Sequence, residues 1–305
     1  PALAASDEDM QTLGMYYEAD DLVVTATRNP KPLSQAAENI TIITAKEIEM
    51  MGAHTLADVL SNVNGINIDD RGSVGTFSGI TIQGSDFTHV LVMLDGVMLN
   101  FFMDGSPDIA AFPVQNIERI EISKGPGSSS WGSALGGVIN IITKSPNEGK
   151  KFSGTLGATI GEKFTRDVRG EATGTINRLG YYLYAGHLGS DGLNLHTGVE
   201  RNDIYGKLLW ELPEHGSLLF SLAYTKDSRD DSQVFLDNDA IHTKHRFFLS
   251  TISLNYPLSE HLDMDLSLRT ILNRFDSINT AIDPSQDTSN LQPNTTTDES
   301  TFGGS

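Results

Sequence analysis

The 305 residues suffice for one large domain or two ordinary ones, and a hydrophobic content of 38% supplies apolar surface for cores. Cysteine is absent, which excludes disulfide frameworks, thiolate metal sites and cysteine nucleophiles, and no apolar run approaches the ~18 residues of a transmembrane helix. With 21 Lys plus Arg against 40 Asp plus Glu, the formal net charge of −19 opposes binding to nucleic acid or to a bare anionic lipid surface, so a membrane role requires a barrel.

Pro1-Ala2-Leu3-Ala4-Ala5 has the small-residue character of the end of a secretory signal. Residues 1–29 read as a tail that carries one short β-prone hexamer, Asp21-Leu22-Val23-Val24-Thr25-Ala26. Residues 30–146 mix elements, as a small α+β domain does. Ile40 to Ile43 is a short apolar strand, and Thr44 with Glu47 has capping-box spacing for a helix. Thr55 to Leu60 again starts on a hydroxyl before an apolar face. Val90 to Leu94, followed by Asp95-Gly96, predicts a buried strand entering a tight turn, and Ile117 to Ile122 predicts a second strand.

Residues 147–305 form the second part of the chain, and from Phe152 onward the period is two. Leu262, Met264, Leu266 and Leu268 alternate with Asp263, Asp265, Ser267 and Arg269; Ile204, Leu208 and Trp210 oppose Tyr205, Lys207 and Glu211. Seven strands are predicted, near 152–160, 165–177, 180–188, 203–212, 217–227, 244–256 and 261–275, then a polar loop from Asp276 to about Thr301, with Phe302 opening a further strand. Links after the second, fourth and sixth strands are tight, whereas those after the third, fifth and seventh are long and polar. That sorting is the pattern of an outer-membrane barrel. Tyr224, Tyr256, Trp210 and the Tyr181-Tyr182-Tyr184 cluster are candidates for interfacial aromatic girdles. No catalytic constellation is present: His242 and His245 are the only close histidine pair, and Ser128 to Ser130 have no base at interpretable spacing, so the chain does not read as an enzyme.

Set together, several motifs resemble the TonB-dependent receptor family. Asp21 to Ala26 is similar to the TonB box, Ile82-Gln83-Gly84 with Leu91 to Val97 to the central plug motif, and Ile117 to Ile122, Gly125-Pro126, Gly132-Ser133 and Gly136 to Thr143 to the motif that closes the plug. Two departures stand out: the family usually has Arg where this chain has Gln83 and Lys124, arginines that pair with barrel carboxylates to hold the plug. Retention is then expected to weaken or to pass to Arg119 with Glu118 and Glu121.

The resemblance implies an α+β plug followed by antiparallel strands of a transmembrane β-barrel. Seven or eight strands fall short of the family's usual number, about 22. The missing strands would come from a second chain in a naturally split receptor, or from the C-terminal region of a longer one. It further implies a multi-pass protein of the bacterial outer membrane with a periplasmic N-terminus, in contact with the bilayer, lipopolysaccharide and TonB with its inner-membrane motor. The activity implied is energy-coupled uptake of a ferric siderophore, cobalamin or haem, the box being nearest in flavour to that of the cobalamin receptor; a non-transporting surface adhesin is the alternative. Ligand contacts are expected at the plug apex, on Arg71, Phe77, Phe101, Phe102, Met103 and Asp104. Calcium in extracellular loops is a candidate on Asp191, Asp203, Asp227, Asp230, Asp231, Asp237 and Asp239, where hard oxygen ligands cluster; solvated acidic loops are the favoured alternative.

Overall fold

The computed structural model describes residues 22–23, 31–32, 34, 39–70, 78–100, 105, 109, 112–127, 131–132, 134–192, 197–230, 239–259, 262–281 and 293–304. Of the tail, β1 (Leu22–Val23) pairs antiparallel with β2 (Lys31–Pro32). Then follow β3 (Asn39–Thr44), α1 (Ala45–Met51), α2 (Leu56–Leu60), β4 (Ile66–Asp70), β5 (Ser78–Ile82), β6 (Val90–Leu94), β7 (Val97–Met98), β8 (Ile117–Lys124) and β9 (Gly137–Thr143).

Both hydroxyl starts are capping boxes. Thr44 Oγ1 accepts from the Glu47 N–H while the Glu47 carboxylate accepts from the Thr44 N–H at 2.7 Å, and Thr55 with Asp58 repeats the arrangement at α2. α1 ends on Gly52, whose φ of 62° is the left-handed cap that glycine adopts without a Cβ clash. The sheet order is β3-β8-β9-β6-β7, with β6 and β9 parallel, and β4-β5 forms a separate hairpin. All five residues of β6 are buried because it lies inside the sheet with both faces covered, which explains its unbroken apolar run. Asp95 and Gly96 both take positive φ, 47° and 76°, as a two-residue hairpin turn between β6 and β7 requires. Leu56, Val59, Leu60, Ile80, Ile120, Ile139 and Ile141 centre the core.

Eight strands follow as an antiparallel meander in sequence order: β10 (Ser153–Ile160), β11 (Arg166–Ile176), β12 (Leu179–Ser190), β13 (Val199–Glu211), β14 (Ser217–Asp230), β15 (Asp239–Ser259), β16 (Leu262–Ala281) and β17 (Thr295–Gly304). The predicted polar loop gives way to β17. Its sequence, TTTDESTFGG, lacks apolar alternation because a strand that projects beyond lipid can keep both faces polar. The same physics lengthens its neighbours: β15 and β16 have 21 and 20 residues, whereas about 9–11 cross a bilayer. The surplus lies on the long-link side, so Asp203 and Asp227, expected in loops, stand within β13 and β14.

Alternation sorts the faces as for a wall in lipid. Leu156, Ile160, Leu183, Ile204, Trp210, Leu268 and Phe302 are exposed, while Arg201, Asp203, Tyr205, Lys207, Asp227, Arg229 and His245 are buried. A water-soluble sheet would be the reverse. The expected tyrosine girdle is corrected by the same period: Tyr181 faces outward, but Tyr182 and Tyr184 point inward and are buried, Tyr182 packing against Tyr205.

Gly137 marks the tightest joint between the plug sheet and its hairpin, since a Cβ there would lie 2.6 Å from the Ser123 carbonyl oxygen and 2.8 Å from Ile82 Cδ1. Gly137→Val is expected to lower plug stability by about 1–3 kcal/mol through overpacking, read as a lower urea midpoint for the plug; an unchanged midpoint would show that the joint can yield.

Candidate functional site

Strand register stacks the inner wall in rows. Asp167, Leu188, Arg201, Asp227, His245 and Phe275 are successive cross-strand partners, and two residues nearer the tight turns come Arg169, Gly186, Asp203, Thr225, Phe247 and Asn273. Below them run Glu171, Tyr184, Tyr205 and Ala223, then Thr173, Tyr182, Lys207 and Ser221.

The upper rows carry charge in closed sets. Arg201 Nε meets Asp203 Oδ2 at 2.9 Å, and Thr225 Oγ1 donates to Asp203 Oδ1 at 3.0 Å. Asp227 lies 3.1 Å from His245 Nδ1 and 3.5 Å from Arg229 Nε, and His245 Nε2 reaches Asn273 Oδ1 at 2.6 Å. Each Arg sits two residues from its Asp on one strand, the spacing that puts both on one face. Burial of these ions is tolerable only because they are paired.

The wall grips the plug at three places, two from the lower rows and one from Asp167 in the uppermost. Lys144 Nζ meets Glu171 Oε2 at 2.8 Å, and Tyr182 donates its hydroxyl to the same oxygen at 2.8 Å. Asp95, in the β6–β7 turn, accepts from the Thr143 N–H and hydroxyl at 2.9 and 2.6 Å and from the Tyr205 hydroxyl at 3.2 Å; Lys207 Nζ stands 3.7 Å from it and donates to the Thr143 carbonyl at 3.2 Å. His54, just before α2, holds Asp167 at 2.7 Å, with Arg169 3.5 Å from the same carboxylate. Phe112 packs edge-to-face on Phe247, ring centroids 5.6 Å apart. A cavity of about 540 Å³ separates α1 from β10–β12, and His54, Lys144, Arg169, Glu171 and Tyr184 line it.

The hydrogen bond that His54 donates to Asp167 raises the His54 pKa above its ordinary 6.5, with the Asp167 and Asp58 charges adding to it and burial and Arg169 opposing. The pair is at full strength below that ordinary value and is lost as pH rises through the raised one.

The expected transfer of plug retention to Arg119 is corrected. Its partner is Glu121 at 3.1 Å, buried in the plug's own sheet, and Lys124 donates to the Asn64 carbonyl at 2.7 Å. The grips instead use His54, Asp95 and Lys144 on the plug and Asp167, Glu171, Tyr205 and Lys207 on the wall. Their signal in the sequence was inward strand position combined with charge.

Among the predicted site residues, Leu22 and Val23 form β1, whereas Asp21, Val24, Thr25 and Ala26 lie outside the described residues, as do Arg71, Phe77, Phe101, Phe102, Met103, Asp104, Asp231 and Asp237. Asp239 opens β15. Asp203 and Asp227 are removed from the loop set: both face inward within strands, beside Arg201, Arg229 and His245. Asp230 holds His242 at 2.7 Å and lines one surface cavity with Asp191; no group of three or more His, Asp or Glu placed for a metal occurs among the described residues.

Residues 32–138 match the family described as the TonB-dependent receptor plug domain. Among solved structures, the siderophore receptor PiuA from Acinetobacter baumannii matches 82% of this chain at 19% identity and a TM-score of 0.66. The closed form of the ferric-catecholate import receptor Fiu from E. coli K12 matches 90% at 18% identity, also with a TM-score of 0.66. A ferric enterobactin receptor from Pseudomonas aeruginosa in complex with enterobactin matches 87% at 19% identity and 0.60. The chain spans 38%, 43% and 46% of those three chains respectively. At such identities the likeness carries the fold alone.

Two outcomes are expected in the assembled receptor. Raising pH through the raised His54 value should lower the hydrogen-exchange protection of the α2 amides beyond the base-catalysed acceleration common to all amides, and Asp167→Asn should abolish that extra loss; protection indifferent to pH would remove His54 from the grip. Lys207→Met, which deletes the cation facing Asp95, should cost about 2–3 kcal/mol of plug stability in urea titration, with no change marking the pair as dispensable.

Proposed function

We propose that this chain, whose residues 32–138 match the TonB-dependent receptor plug domain, belongs to that receptor family and is the plug-bearing part of an outer-membrane transporter that imports a scarce metal chelate with energy delivered by TonB. The observation that carries the reading is a plug gripped by the charged face of a sheet whose other face is apolar. A ligand binds from the long-link side, occupancy is passed through the plug, and Asp21 to Ala26 adds as a strand to the periplasmic partner.

A ferric siderophore is the favoured ligand. The matched proteins are described as siderophore, ferric-catecholate and ferric enterobactin receptors. The hexamer Asp21 to Ala26 is the sequence feature that favours cobalamin. β10 and β17 stand at the two edges of the sheet, and open edges are not tolerated in lipid. Further strands therefore pair with them, from the same polypeptide or from a second chain, and mass spectrometry of the purified complex separates the two.

The test is binding and accumulation measured side by side. The assembled receptor is expected to bind a ferric siderophore in a panel with cobalamin and haem, and deletion of residues 21–26 should abolish accumulation while binding persists. Unimpaired accumulation would remove TonB coupling and leave a surface-binding adhesin as the reading.

A further inference from the structure

The plug fits the wall unevenly. Where it meets β13 and β14, among Phe112, Ile141, Tyr205 and Thr225, the space left over is about 20 Å³. Where it faces β10–β12 the cavity of about 540 Å³ remains, within the range of about 300–1,000 Å³ that small ligands occupy. The difference lies in the side chains. On β10 the residues in register with Asp167, Arg169, Glu171 and Thr173 are Thr159, Gly157, Thr155 and Ser153, so the inner face of that strand carries nothing larger than threonine. At the same face β13 presents Arg201, Asp203, Tyr205 and Lys207. The plug opposite β10 is also built small, with Ala45, Gly52 and Ala53 on the cavity.

An ion pair stands at each end of this space. His54 with Asp167 lies toward the long links, and Lys144 with Glu171 lies toward the tight turns, four residues away along β11, about 13 Å. Both pairs touch water: the His54 side chain is 28% exposed, and those of Lys144 and Glu171 are 29% and 23% exposed. Opening either pair hands its charges to solvent at little cost. Opening the Asp95 hub would instead strand Lys207, 9% exposed, and the fully buried Thr143.

We propose that this cavity is the passage of the imported ligand, with His54–Asp167 as its outer gate and Lys144–Glu171 as its inner gate, while the plug stays seated on β13–β15. The inference rests on the uptake reading and deepens it by naming the side of the plug that opens. Lys46, Glu49 and Arg169 line the cavity beside the gate residues, together with the Thr155 and Thr159 hydroxyls. Charges of both signs and hydroxyls suit a hydrated polar chelate and disfavour an acyl chain.

Three cysteine pairs test this in the assembled receptor, in which the strand paired with β10 bounds the cavity: His54→Cys with Asp167→Cys, Lys144→Cys with Glu171→Cys, and, on the far side, Phe112→Cys with Phe247→Cys. The probe is whichever of ferric enterobactin, cobalamin and haem the unbridged receptor accumulates. Binding and accumulation are measured before bridging with a short bis-methanethiosulfonate, after it, and after reduction. Bridging either gate pair should abolish accumulation until the bridge is reduced, with binding intact throughout, and bridging the far pair should leave accumulation unchanged. Thr155→Trp with Thr159→Trp fills the cavity from exposed positions on β10, and should lower accumulation at unchanged binding even where a cysteine pair fails to assemble. Accumulation that survives a gate bridge or the filled cavity, or that the far bridge stops equally, would overturn the passage and leave the uptake reading standing. Accumulation of none of the three probes before bridging would remove the uptake reading and the passage with it.

Discussion

A sheet whose outer face meets hydrocarbon has no choice about its inner face. With period two, every apolar residue sent outward sends a neighbour inward, and the wall's wet residues must find partners in a space that water fills only partly. The structure answers this constraint in two ways. High on the wall the charges pair with one another, Arg201 with Asp203 and Asp227 with Arg229 and His245. Lower down they pair with the plug, through Glu171, Tyr205 and Lys207. Plug retention is thus a by-product of solving the burial problem of the wall.

The grips differ in kind, which bears on how the plug would be released in the proposed transport. The Asp95 hub joins a hairpin turn, the end of β9 and two wall side chains, so loosening any one leaves the others buried and wanting partners. The His54 contact is a single pair at the rim of a cavity, just before α2. Such a contact can open without exposing a core, and local opening is drawn from the less stable parts of a structure. The α2 side of the plug is therefore the side from which rearrangement is easiest.

Much of this was legible in the sequence because local chemistry and tertiary demand agree. The capping boxes at Thr44 and Thr55, the buried run of Val90 to Leu94 and the Asp95-Gly96 turn each form where their residues predict. Alternation placed the outward face of β13 residue by residue. It failed where strands leave the membrane: β17 and the upper parts of β15 and β16 face water, lose their apolar signature and read as loop. The acidic loop assignment failed for the same reason, since Asp203 and Asp227 are ordinary inward residues of long strands. The grips were hidden because nothing in the sequence says that Lys144 and Glu171, or Asp95 and Lys207, meet across a gap that only the tertiary fold closes.

The central claim, that one face of this sheet meets lipid and the other the plug, is tested most directly by single-cysteine spin labelling along β13, which the absence of native cysteine makes clean. Labels at residues 203–210 of the assembled receptor in bilayers would be read for collision with oxygen and with a water-soluble nickel chelate. A period of two is predicted, with positions 204, 206, 208 and 210 accessible to oxygen and shielded from nickel, and 203, 205 and 207 restricted. Nickel accessibility at 204 and 208 equal to that of a solvent-exposed loop, or no alternation, would contradict the account.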